Sequence, residues 1–269
     1  MPEQPFTERL QQINQNRHAY VSVGLDIDLE RMPDGVAADA AGAKTFVRTI
    51  IDATAEHAAA YKPNVAFFFS LGVAGFDLLS RLHTFIPPDT LLIGDGKWGD
   101  IGNTAERYAT MAFDEFQFDA VTVNPYMGID AIEPFLTEPS RGAFVLCRTS
   151  NPSSPDLQGD GENAVFLRVA ALAMSWNRRG NCGLVVGATH PGDLGLVRET
   201  APDLPLLIPG IGAQGGDLEV CLRELTQRPP AGLLINSSRG ILYASPNSDY
   251  SHHSAAAAAQ LNQAIQRLM

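Results

Sequence analysis

Leu91-Leu92-Ile93-Gly94-Asp95-Gly96-Lys97-Trp98-Gly99-Asp100 begins with three aliphatic side chains and then turns abruptly to charge. Residues 91–93 read as a short buried strand, and Thr104-Ala105-Glu106 opens a helix a few residues later. A strand that feeds a helix is half of a parallel βαβ unit, and the same alternation runs along the whole chain. Apolar strand-like runs recur at 20–25, 59–63, 91–93, 120–123, 143–147, 183–186, 206–208 and 233–235. Between and after them lie helical patterns at 37–57, 73–85, 104–116, 132–136 (short), 164–176, 193–199, 217–226 and 255–268. Eight such units in a chain of 269 residues predict a closed (β/α)8 TIM barrel, with an extra helix before the first strand. No Pro/Gly/Ser-rich linker divides the chain, so residues 1–269 read as one domain.

Composition narrows the function classes. Hydrophobic residues make up 45% and charged residues 18%, the balance of an ordinary globular protein. A net charge of −11 with no offsetting Lys/Arg run argues against nucleic acid as a partner. An anionic ligand must therefore be drawn in by a local positive site. Cys147, Cys182 and Cys221 are odd in number and widely spaced, which excludes a disulfide framework and a zinc site as the organising principle. The histidines show no metal-ligand spacing, and no stretch approaches the apolar length of a membrane span. Residues 1–17 are polar and lack the core of a signal peptide, so a cytoplasmic location is the default expectation.

In a barrel of this kind, function gathers at the C-terminal ends of the strands. Those ends carry Asp26 and Asp28, Lys62, Asp95 and Lys97, Asn124, Arg148 to Asn151, Thr189-His190, the loop after 208, and Asn236 to Arg239. Side chains two apart on a strand share a face, so Asp95 and Lys97 are expected to emerge together, with Asp100 just beyond. Two carboxylates and an ammonium so close together are costly in a dry cleft unless the site needs that pattern. The segment on its own also fits a solvated ion pair at a strand end.

Two loops read as a phosphate grip. Pro209-Gly210-Ile211-Gly212-Ala213-Gln214-Gly215-Gly216-Asp217 is a glycine-rich turn leading into a helix, where backbone N–H groups can approach an anion. Ser237-Ser238-Arg239-Gly240 adds a guanidinium suited to phosphate oxygens. Loops seven and eight are where this fold usually binds phosphate.

With these residues in place, the chain resembles the orotidine 5′-phosphate decarboxylase family in its longer bacterial form, over almost its whole length. The resemblance rests on residues 92–104, and on Gly24-Leu25-Asp26, Lys62-Pro63-Asn64, Val123-Asn124-Pro125-Tyr126-Met127-Gly128, Cys147-Arg148-Thr149-Ser150-Asn151-Pro152 and Gly187-Ala188-Thr189-His190-Pro191. Gly96 and Trp98 depart from it, standing where that branch more often has alanine and arginine.

The resemblance implies decarboxylation of orotidine 5′-monophosphate to uridine 5′-monophosphate, without metal or organic cofactor. It assigns Lys62, Asp95, Lys97 and Asp100 to an alternating charge array, with Lys97 as the acid that protonates C6. Asp26 and Lys62 would hold the ribose hydroxyls and Ser150 the pyrimidine amide. Pro209 would lie beside the base, and Gln214 and Arg239 on the phosphate. Asp100, Ile101 and Thr104 would reach the neighbouring site of a homodimer. Segments 150–158 and 210–216 are the candidate closing loops.

Two other functions share the scaffold. A metal-dependent sugar-phosphate decarboxylase or epimerase would need a further carboxylate near strand two, and Lys62-Pro63-Asn64 offers none. A non-catalytic phosphate-binding barrel would have no use for the intact charged set. Phe67-Phe68-Phe69 reads as core packing after strand two.

Overall fold

The computed structural model describes residues 4–159, 164–211, 217–226 and 231–269. In chain order, α1 (Phe6–Arg17) precedes β1 (Val21–Leu25), α2 (Ala40–Thr54) and β2 (Ala58–Pro63). Two helices, α3 (Val65–Phe69) and α4 (Val73–Arg81), lead to β3 (Leu91–Trp98) and α5 (Gly102–Thr110). After β4 (Ala120–Val123) the chain makes three short 3-10 turns before β5 (Gly142–Arg148). There follow α6 (Pro155–Gln158), α7 (Val165–Trp176), β6 (Cys182–Val186), α8 (Pro191–Thr200), β7 (Leu206–Pro209) and α9 (Leu218–Thr226). The chain closes with β8 (Leu233–Ser237), α10 (Arg239–Leu242) and α11 (Tyr250–Leu268).

The strands form a closed barrel in sequence order, with β1 paired to both β2 and β8 and every described pairing parallel. This is the (β/α)8 TIM barrel that the alternation of apolar runs and helical patterns implies. Two boundaries move for local reasons. The second helix starts at Ala40 rather than 37, because the Asp39 carboxylate accepts from the Gly42 N–H and caps it there. The third strand runs on to Trp98, so the charged stretch lies within the strand rather than after it. The Phe67–Phe69 stretch is also only partly core: it forms α3, with Phe68 buried but Phe69 exposed and stacked on Phe76.

Helix α1 plugs the N-terminal end of the barrel. Phe6 and Leu10 are buried with the inward-facing Ala60, Leu91, Ile93, Ala120, Phe144, Val185, Leu207 and Leu234. Phe6 meets Phe144 edge-on, with ring centroids 5.6 Å apart. Asn14, buried, donates to the Ala19 and Leu233 carbonyls at 2.7 and 3.1 Å and accepts the Leu233 N–H at 2.8 Å. One side chain thereby satisfies backbone groups that no strand neighbour reaches. Asn14→Ala should lower stability by about 1–3 kcal/mol, since it strands these buried groups. Urea unfolding should show it, with the charged residues at the opposite end of the barrel undisturbed.

Candidate active site

Alternate residues of a barrel strand face its axis. Two residues beyond the buried interior layer come Lys62 on β2, Asp95 on β3, Thr122 on β4, Leu146 on β5, Pro209 on β7 and Asn236 on β8, and all of them line one cavity of about 470 Å³. Asp26 and Ser150 join them from the loops after β1 and β5, Arg239 from the start of α10, and Lys97 from the end of β3. The structure thus brings Asp26, Lys62, Asp95, Lys97, Ser150, Pro209 and Arg239 into one chamber. Asp100 and Thr104 do not line it. Gln214 lies outside the described residues.

Asp95 is the hub. Lys62 Nζ donates to its Oδ2 at 2.6 Å, Lys97 Nζ to its Oδ1 at 2.6 Å, and the Thr122 hydroxyl to Oδ1 at 2.9 Å. The side chains of Lys62 and Asp95 are 6% and 9% exposed, that of Lys97 50%. Burial pushes the Asp95 carboxyl upward, but the charges of Lys62 and Lys97 outweigh it and hold it well below the usual carboxylate range. For Lys62 burial acts to lower the ammonium, and Asp95 and then Asp26 overcome it, so the group titrates above an ordinary lysine.

Lys97 reaches Asp95 by a different route from the shared face of a regular strand. From Gly94 to Trp98, β3 takes four residue steps where β4 takes two, Val121 to Val123, so the surplus is looped out. Lys97 absorbs it with a φ of +49°, in the left-handed region, while its N–H donates to Thr122 Oγ1 at 3.0 Å. A non-glycine residue held there costs conformational energy and persists only where its surroundings enforce it. Gly96 is part of that enforcement. A Cβ at 96 would lie 2.5 Å from the Trp98 ring, which is buried against Phe118 and Phe135.

The other residues are held from behind. Asp26 carries a buried Oδ1 with no hydrogen-bond partner among the described residues, an acceptor ready for a hydroxyl. Ser150 lies against Gly187, whose missing side chain lets the backbone approach within 2.8 Å of where a Cβ would stand. The adjoining Thr149 is bracketed by Gln158, which accepts its N–H at 2.9 Å and donates to its hydroxyl at 2.7 Å. Arg148, fully buried beneath, pairs with Asp193 at 2.8 Å. Asn236 and Asn64, noted in the sequence at strand ends but given no role, also line the chamber, as does Thr122, which went unread although the inward period of two marks it. Outside the chamber, Asp100 folds its carboxylate onto the Ile101 N–H at 2.8 Å, and both Ile101 and Thr104 are exposed. Among the described residues no group of three or more His, Cys, Asp or Glu side chains is placed to hold a metal ion, and no helix is long and apolar enough to cross a membrane.

Comparison with known proteins agrees with this geometry. The sequence model of the orotidine 5′-phosphate decarboxylase / HUMPS family matches residues 21–251. The chain is 46% identical over 268 residues to the orotidine 5′-phosphate decarboxylase of Thermomicrobium roseum, covering 98% of this chain and 95% of the relative. It is 47% identical over 265 residues to that of Roseiflexus castenholzii, covering 97% of each. Among solved structures, Leishmania donovani OMP decarboxylase superposes with a TM-score of 0.83 at 38% identity, covering 98% of both chains.

The depressed Asp95 carboxyl has a measurable sign. Its stabilising contribution is complete above the unfolded carboxylate value, near pH 4, and fades as pH falls toward the lower folded value. The stability gap between parent and Asp95→Asn should therefore stay level from about pH 5 to pH 7 and narrow below about pH 4. Urea midpoints across that range decide it, and a gap already closing between pH 7 and 5 would mean that Asp95 is not held ionised.

Proposed function

The chain belongs to the orotidine 5′-phosphate decarboxylase family and converts orotidine 5′-monophosphate to uridine 5′-monophosphate and CO2 in pyrimidine biosynthesis; from that premise we propose how its own residues do so. The observation that carries the reading is Asp95 held at 2.6 Å by two ammonium groups, one buried and one half-exposed to the chamber.

Loss of CO2 from C6 leaves an electron pair on a ring carbon that cannot delocalise it well. An ammonium already fixed beside that carbon stabilises the growing charge and then delivers the proton. Lys97 is that group. Asp95 aims it, and the strained backbone at Lys97 holds it in place without reorganisation during the reaction. Leu146, Val185 and Leu207 give the chamber an apolar floor, against which neutral CO2 is better tolerated than a carboxylate. Asp26 and Lys62 hold the ribose hydroxyls, Ser150 the pyrimidine amide, Pro209 packs by the base and Arg239 binds phosphate with Gln214. Binding energy from the distant phosphate is then available to lower the barrier at C6.

The same reading makes the enzyme a single-domain, cytoplasmic homodimer. Asp100 and Thr104 stand outside the chamber of their own chain, beside the exposed Ile101, as expected of residues that complete a neighbour's site. Asp100 would there supply the second carboxylate flanking the Lys97 ammonium.

Lys97→Ala should lower kcat at least about a hundredfold while affinity for uridine 5′-monophosphate changes far less, because phosphate, ribose and base contacts remain. Lys97→Arg should not restore it, since a guanidinium is a poor acid. Turnover of Lys97→Ala within about tenfold of the parent would overturn the assignment.

Mixing inactive Lys97→Ala with inactive Asp100→Ala should recover up to roughly a quarter of parental activity, because random pairing makes half the dimers mixed and each mixed dimer has one intact site. Complete exchange, confirmed with differently tagged subunits, without recovered turnover would rule out a shared site.

A further inference from the structure

Tyr243 follows directly on α10, the turn that opens with Arg239, and its N–H donates to the Arg239 carbonyl at 3.2 Å. Its side chain reaches the loop after the adjacent strand, β1. The hydroxyl accepts the Asp28 N–H at 2.7 Å and donates to the Asp26 carbonyl at 3.2 Å. One phenol oxygen therefore holds the backbone on both sides of Ile27, immediately next to the carboxylate of Asp26.

The ring itself is fixed. It stacks on the buried Phe46 with centroids 5.7 Å apart and planes at 17°, and the Arg31 guanidinium carbon lies 4.4 Å from its centroid. Burial first, with the charge of Asp28 adding to it, pushes the phenol upward, so at neutral pH it stays protonated and able to donate. Asp26 needs such a restraint. It stands just past the end of β1, outside strand pairing, and its buried Oδ1 has no partner of its own among the described residues to set its direction.

We propose that Tyr243 is a positioning residue: its hydroxyl sets the Asp26 carboxylate for the ribose hydroxyls and ties it to the turn that carries Arg239. The proposal rests on the ribose role given to Asp26 above. It makes the phosphate and ribose contacts one mechanical unit, so that a shift of the Arg239 turn is felt at Asp26.

The test compares uridine 5′-monophosphate with 2′,3′-dideoxyuridine 5′-monophosphate by calorimetry. The readout is the ratio of the two dissociation constants, which cancels any loss of folded protein and any uniform weakening. Tyr243→Phe removes a single oxygen and keeps the stacked ring. Asp26→Asn should shrink the parental ratio by roughly tenfold or more, and Tyr243→Phe by roughly threefold to tenfold. The double variant should fall no further than Asp26→Asn alone, because both changes remove one contact. If Asp26→Asn shrinks the ratio and Tyr243→Phe leaves it within about twofold of the parent, Tyr243 only supports the fold and the proposal is wrong. An additive double variant overturns it equally. A ratio unmoved by Asp26→Asn removes the ribose reading of Asp26, and the role of Tyr243 with it.

Discussion

A carboxylate that is 9% exposed and still ionised demands compensation, and the mouth of this barrel is arranged to supply it. Asp95 answers Lys62 and Lys97, and Asp26 adds its charge to Lys62 from the next strand. Charges thus alternate in space across β1, β2 and β3 as Asp26, Lys62, Asp95, Lys97. Each buried member has an opposite neighbour, so the array is neutral as a whole and the desolvation cost of each ion is offset. Three of the four lie deep or half-buried, and only Lys97 opens widely to the chamber. The array therefore offers the chamber an ammonium at Lys97 and a carboxylate acceptor at Asp26. In a chain with a net charge of −11, Lys62, Lys97 and Arg239 are the cationic side chains among the described residues that line this chamber.

How much of this could be read beforehand follows from which physical rule governs each part. The barrel was legible because eight apolar runs alternate with helical patterns, and periodicity survives without tertiary information. The depth at which Lys62, Asp95, Pro209 and Arg239 gather was legible too, since strand ends converge in a closed barrel. Thr122 and Asn236 were open to the same rule, two residues past Ala120 and Leu234, but Thr122 drew no notice and Asn236 was noted only as a strand-end polar residue. The turn at Lys97 was not legible. It depends on how many residues β4 spends against β3, a pairing that no local pattern in either strand records. Asp100 and Thr104 are a further case: they do not line the chamber of their own chain, and the role proposed for them rests on the resemblance, which the pattern of one chain does not carry.

The departures at Gly96 and Trp98 have a joint explanation. Trp98 turns its ring back beneath residue 96 and packs it between Phe118 and Phe135, at centroid distances of 6.3 Å each. That leaves no room for a β-carbon at 96, where contact would fall to 2.5 Å. The larger residue at 98 and the smaller one at 96 are therefore a single exchange of volume, of the kind a packed core tolerates when total size is kept. They flank Lys97, and the exchange leaves its ammonium on Asp95 at 2.6 Å. The backbone turn at Lys97 and the Gly96–Trp98 packing are thus one local arrangement.

The two ends of the barrel divide the work. At the bottom, α1 seals the axis with Phe6, Leu10 and Asn14, all buried and committed to interior contacts. At the top, restraint is applied from behind the chamber. Gln158 holds Thr149 beside Ser150, Thr122 steers both Asp95 and the Lys97 backbone, and the buried Asp26 Oδ1 has no hydrogen-bond partner among the described residues. A buried acceptor with no donor among the described residues and a left-handed backbone at an ion-paired lysine are costs to the folded state. The scaffold below is what tolerates those costs, which is why the same barrel can be rigid where it is closed and chemically poised where it is open.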